Sequence, residues 1–124
     1  MSYTYEAIRA HLNDLYRSKH FAASARLRRF LDYIVERTLA GEGDTIKEFV
    51  IATEVYERGV EYDPQVDSTV RVEASRLRSK LRAYYEQEGA ACAFRIQIPK
   101  GSYVPSFEPV AQEAAPWQSF VTAA

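Results

Sequence analysis

The sequence predicts an α+β domain, mainly α, with helices from near the amino end to about residue 88 and a β-hairpin after them. Three observations carry that expectation. Apolar residues recur at three- and four-residue steps through four stretches before Gly89. The run Phe94-Arg95-Ile96-Gln97-Ile98 alternates instead, with Pro99-Lys100-Gly101 after it. A chain of 124 residues, 47% hydrophobic and 27% charged, has the size and balance of one folded core.

Residues 4–17 place Ile8, Leu12, Leu15 and Tyr16 at helical spacing, with Arg9, Asn13 and Asp14 between them. Residues 1–20 are therefore expected to form an amphipathic helix, a candidate dimerisation element. Ser24 is placed to cap a second helix, whose Leu27, Phe30, Leu31, Ile34, Val35, Thr38 and Leu39 run until Gly41 stops it. Thr45 and Glu48 have the spacing of a capping box, which predicts a third helix with Ile46, Phe49, Val50, Thr53 and Tyr56 inward, ending near Gly59. Residues 59–67 hold Gly59 and Asp63-Pro64 and read as an ordered loop. Asp67 or Ser68 caps the long helix that follows, with Val70, Ala74, Leu77, Leu81 and Tyr84 or Tyr85 as its buried stripe. A hairpin over 94–107 pairs FRIQI with SYVPSF. Residues 109–124, with Trp117 and Phe120 as their large groups, are expected to be a flexible tail, the alternative being that Trp117 anchors it on the domain or on a partner, a second copy among them. The expected core is Leu27, Phe30, Leu31, Ile34, Phe49, Val50, Leu77 and Leu81.

The polar opening MSYTYEAIRAHLNDLYRS has no secretory pattern, and no run approaches the ~20 apolar residues of a membrane span, so a cytoplasmic protein without membrane contact is expected. Cys92 is the sole cysteine and lies among alanines, which excludes an internal disulfide and suits a spectator. His11 and His20 stand in no nucleophile or metal motif and read as surface or packing histidines. Asp63 and Asp67 are explained by turn and cap duties, and the scattered glycines form no phosphate-cradling loop. The expectation is a protein that is not an enzyme and that uses neither cofactor nor metal.

Charge is distributed unevenly. From Arg71 to Arg82 stand five cations (Arg71, Arg76, Arg78, Lys80 and Arg82) against Glu73, a local +4 that leaves −5 for the rest of a chain of net −1. At about 100° per residue, Ser68, Arg71, Val72, Ser75, Arg76 and Ser79 project opposite the buried stripe, with Arg78, Lys80 and Arg82 on its flanks. Small and hydroxylated positions would let this helix sink into a major groove, with arginines reaching base edges and phosphates. Taken alone, a basic helix reads as readily as a solvated face. The order of elements weighs the other way: helices, a long basic helix, then a hairpin with Lys100-Gly101 at its turn is the layout of a winged helix-turn-helix.

The residues carry a resemblance as well. STVRVEASRLRSKLRAYYE followed by FRIQIPKGSYVPSF resembles the recognition helix and wing of OmpR-type effector domains, which read T-V-D-V-H-I-x-R-L-R-x-K-L and then I-x-T-V-R-G-x-G-Y. Thr69, Val70, Val72, Ser75, Arg76, Leu77, Arg78, Lys80 and Leu81 fall in register, and Lys100, Gly101 and Tyr103 take the wing positions. Over residues 21–107 the chain looks closer still to a bacterial winged-helix domain that often precedes tetratricopeptide-repeat or cyclase-like regions. The resemblance implies DNA binding. OmpR-type proteins begin this domain with a β-sheet and carry a receiver, where this chain has a helix; Arg71 and Glu73 replace the family's acid and histidine, so base preference does not transfer.

Together these readings lead to an expected domain at 21–108 that binds double-stranded DNA as a homodimeric transcription regulator. Arg71, Val72, Ser75 and Arg76 are the candidate base contacts. Ser68, Thr69, Arg78, Ser79, Lys80, Arg82 and Lys100 are candidates for the backbone or wing contacts. The alternative is a winged-helix interaction module that presents the same surface to RNA polymerase or a partner regulator.

Overall fold

In the computed structural model, residues 4–87 and 94–109 are described. Among them are four α-helices and one two-stranded antiparallel sheet, an α+β arrangement that is mainly helical. Helix α1 spans Tyr5–Arg17, α2 Ala25–Leu39, α3 Glu48–Glu54 and α4 Thr69–Gln87, with a 3₁₀ turn at Gly43–Thr45. Strand β1 is Phe94–Gln97 and β2 is Ser106–Pro109. None of these helices is long and apolar enough to cross a membrane. Cys92, Gly89, Trp117 and Phe120, like most of the expected tail, lie outside the described residues.

The first two helices start and stop for local reasons. The Thr4 hydroxyl accepts the Ala7 N–H and the Ser24 hydroxyl accepts the Leu27 N–H, each supplying an acceptor to a donor that the helix leaves unpaired. Gly41, at φ +79°, follows the end of α2 in the left-handed conformation that suits a residue without a Cβ. Ile8, Leu12 and Leu15 of α1 pack into the same core as Leu27, Phe30, Leu31 and Ile34 of α2 and Val70, Ala74, Leu77 and Leu81 of α4. Phe21, in the connection between α1 and α2, is completely buried in it.

His11 is a packing residue. Tyr85 Oη accepts the Ile96 N–H at 2.9 Å and shares a hydrogen bond with His11 Nε2 at 2.7 Å, joining α1, α4 and β1 through one hydroxyl. Burial pushes the His11 imidazole below its ordinary range, which favours the neutral ring.

The third helix departs from expectation in start and phase. Thr45 donates its hydroxyl to the Glu42 carbonyl, closing the 3₁₀ turn, so it caps nothing, and α3 begins at Glu48 behind an extended Lys47. The Glu48 carboxylate points away from the helix start to Tyr62, Arg71 and Tyr103. With the start displaced, the inward face runs through Ile51, Ala52, Val55 and Tyr56. Phe49, expected in the core, is 47% exposed and meets Tyr62 edge-on; Val50 is half-buried. Of the remaining expected core, Leu27, Phe30, Leu31, Ile34, Leu77 and Leu81 are buried.

The hairpin is longer-looped than expected. Strand β2 begins at Ser106, not at Ser102, and pairs with β1 in the register Phe94 to Pro109 and Gln97 to Ser106. The Ser102 N–H bonds the Pro99 carbonyl at 3.1 Å with Gly101 at φ +83°, the backbone of a type II turn, and Ser102 Oγ then accepts the Val104 N–H. That local bonding occupies the backbone between Ser102 and Pro105 that the sheet would otherwise use.

Candidate nucleic-acid interface

The start of α4 is built by its neighbours. Asp67 Oδ1 accepts both the N–H and the hydroxyl of Thr69, at 2.9 and 2.6 Å. Arg58 binds Asp67 Oδ2 at 2.9 Å and gives a second N–H to Thr69 Oγ1. Thr69's hydrogen bonds, followed by those of Arg58, hold the Asp67 carboxyl below the usual carboxylate range. Thr69 therefore has its hydroxyl engaged in the cap, while Ser68 beside it is exposed.

Along α4, Val70, Glu73, Ala74, Leu77, Leu81, Tyr84 and Tyr85 face inward. The outer face carries Val72, half-exposed at 49%, with the exposed Ser75 and Ser79. Cations border this strip on both sides: at about 100° per residue Arg71, Arg78 and Arg82 fall on one flank, and Arg76 and Lys80 on the other.

Each flank is organised differently. Arg71 donates to Glu48 Oε2 at 2.7 Å and to the Pro64 carbonyl at 2.6 Å. Glu48 also accepts the hydroxyls of Tyr62 and Tyr103; burial and this carboxylate push the Tyr62 hydroxyl up to about 12 and Tyr103 in the same direction, so both stay protonated donors. Arg78 reaches across to the hairpin connection, donating to the carbonyls of Ile98 at 2.9 Å, Pro99 at 3.2 Å and Ser102 at 3.0 Å. This guanidinium holds the turn carrying the exposed Lys100 beside α4, and a shallow groove between them is lined by Glu48, Arg71, Ala74, Arg78, Gly101 and Tyr103. Lys80 and Arg82 form no ion pair with another described residue.

On the other flank Arg76 meets Glu73 Oε2 at 3.3 Å. Glu73 is the buried carboxylate of this face, 5% exposed, with the Tyr56 hydroxyl at 3.4 Å and Arg26 of α2 at 4.0 Å. Burial pushes the Tyr56 hydroxyl up and the Glu73 charge adds to the shift, so it remains a donor to that carboxylate.

All eleven candidate residues thus lie on α4, at its start or at the hairpin turn. Base candidates Val72 and Ser75 are solvent-facing, Arg71 and Arg76 are solvent-facing with carboxylate partners, and Arg78 is tied to the hairpin. Glu48 and Glu73, which set these positions, read in sequence only as half of a capping box and as the one anion of the basic run, and Arg58 carries no such signal. Glu73 carries the one available signal: it shares the buried stripe with Val70 and Leu77, and a carboxylate there requires a cationic partner. No group of histidine, cysteine and acidic residues that would hold a metal ion occurs among the described residues. Comparison with protein families, curated proteins and solved structures yields no match.

Proposed function

We propose that this chain is a winged helix-turn-helix domain that binds double-stranded DNA and regulates transcription, with α4 in the major groove and the hairpin as wing. One observation carries the reading: Val72, Ser75 and Ser79 form a low strip on α4 between two rows of cations, and Arg78 holds the Lys100 turn beside one row. A B-form major groove, about 12 Å wide, admits a helix with such an outer face.

The roles follow from reach and pairing. Arg76 offers a bidentate donor set to guanine, Ser75 bonds either kind of base edge, and Val72 contacts a thymine methyl. Arg71 adds a second guanidinium after exchanging Glu48 for DNA. Glu48 keeps the Tyr62 and Tyr103 hydroxyls as donors when Arg71 leaves it. Ser68, Ser79, Lys80, Arg82 and Lys100 grip phosphates, Thr69 and Arg78 act mainly by fixing the helix start and the wing, and a homodimer places two such helices about one helical turn apart.

The test separates base reading from backbone grip. Arg76→Ala flattens preference among duplex sequences, whereas Lys80→Ala weakens all sequences alike and lowers the salt slope by ~1. Equal effects of both on every sequence contradict the assignment.

A further inference from the structure

The basic surface does not end at α4. The first turns of α2 carry three arginines, and the structure gives them unlike tasks. Arg28 donates to the carbonyls of Phe21 and Ala22, at 2.6 and 2.7 Å, and is committed to the connection before α2. Arg26 and Arg29, three residues apart and so on one side of the helix, have side chains 60% and 57% exposed.

Two contacts hold Arg26 at the Tyr56–Glu73 pair beside α4. Its guanidinium stands 5.1 Å over the Tyr56 ring, and its Nε is 4.0 Å from Glu73 Oε1. The second oxygen of the same carboxylate takes Arg76 at 3.3 Å. Two cations on one buried anion leave a net positive seam between α2 and α4, on the flank that also carries Lys80. Arg29 extends the seam, facing Glu57 at 3.9 Å, a contact whose carboxylate side chain is 80% exposed. Such a pair contributes ~0–1 kcal/mol and yields readily to a stronger anion.

We propose that Arg26 and Arg29 are phosphate-binding residues of the DNA interface, receiving the backbone strand that passes the Arg76 and Lys80 flank of α4. The inference rests on the DNA-binding reading above and extends its footprint to a helix absent from the expected contacts. A groove wall is continuous phosphate, so a strand that passes Arg76 continues onto whichever cations adjoin it. Arg26 adjoins it through a shared carboxylate. Such contacts add affinity and salt dependence without reading sequence.

The experiment titrates a preferred duplex and a scrambled duplex with the full chain over a series of salt concentrations, for wild type, Arg26→Ala, Arg29→Ala and Arg37→Ala. Arg37 lies near the far end of α2, about 12 Å beyond Arg29 and about 16 Å beyond Arg26 along the axis, and controls for the change in net charge. The expected result is a salt slope lower by roughly 0.9 for each of Arg26→Ala and Arg29→Ala, equal on both duplexes, with Arg37→Ala unchanged. Arg26→Lys restores the slope, which loss of folding would not allow. Slopes no different from the Arg37→Ala control, in a chain that binds DNA, overturn the inference and leave the reading intact. A wild-type chain that binds neither duplex at low salt overturns both.

Discussion

Removing the Arg78 side chain tests how the hairpin is held against α4. The guanidinium donates to three carbonyls, of Ile98, Pro99 and Ser102, at 2.9 to 3.2 Å, and only a planar fork reaches all three at once. Hydrogen bonds to a charged group contribute ~1.5–3 kcal/mol each when shielded, but Arg78 is half-buried and water replaces part of what is lost. Arg78→Ala is therefore expected to cost about 2 kcal/mol in total. For a domain of this size that corresponds to a Tm lower by roughly 6–10 °C, or a urea midpoint lower by ~1 M at unchanged m. Arg78→Lys keeps the charge but satisfies one carbonyl at a time, so it recovers less than half of the loss. The Ser102 N–H, bonded to the Pro99 carbonyl, exchanges with solvent faster in both variants. An Arg78→Lys chain as stable as wild type, or an Arg78→Ala chain within ~0.5 kcal/mol of it, would refute the bracing role.

Two further predictions concern the core and pH. Phe21→Ala is expected to cost ~3–5 kcal/mol, because a completely buried ring leaves a cavity, whereas Phe49→Ala, on a ring 47% exposed, costs less than ~1 kcal/mol; urea denaturation of the two variants gives the comparison directly. His11 is held neutral in the fold, its titration lowered mainly by burial, so the unfolded chain binds its proton first. Stability therefore declines as pH falls through the ordinary imidazole value of 6.5 and levels once the buried ring itself protonates. A His11→Gln variant shows a flatter stability profile between about pH 7 and pH 5, and an equally steep one rules out His11 as the source.

Much of the framework was legible in sequence because local rules set it. Ser24 and Gly41 bound the second helix through a side-chain acceptor and a left-handed residue, and both signals read directly from residue type. The alternation of Phe94, Ile96 and Ile98 announced β1, and the stripe of α4 announced its outer face. The third helix was misphased because Thr45 and Glu48 had partners that the local pattern does not contain: Glu42 for the hydroxyl, and Tyr62, Arg71 and Tyr103 for the carboxylate. Phe21 was passed over since one aromatic in a polar connection has no period to reveal it. The candidate site divides similarly. Its exposed residues follow from helical geometry, while the tasks of Glu73, Arg78 and Arg26 depend on contacts 20 or more residues apart or on different helices.

Recognition of duplex sequence is the function proposed for this face. Selection of the purified full chain on a random double-stranded library at two salt concentrations, followed by sequencing of the bound pool, tests it most directly. The expected result is enrichment of a defined motif that persists at the higher salt, with two copies about one helical turn apart if the chain binds as a dimer. A bound pool without enrichment, or no binding at the lower salt, would contradict it.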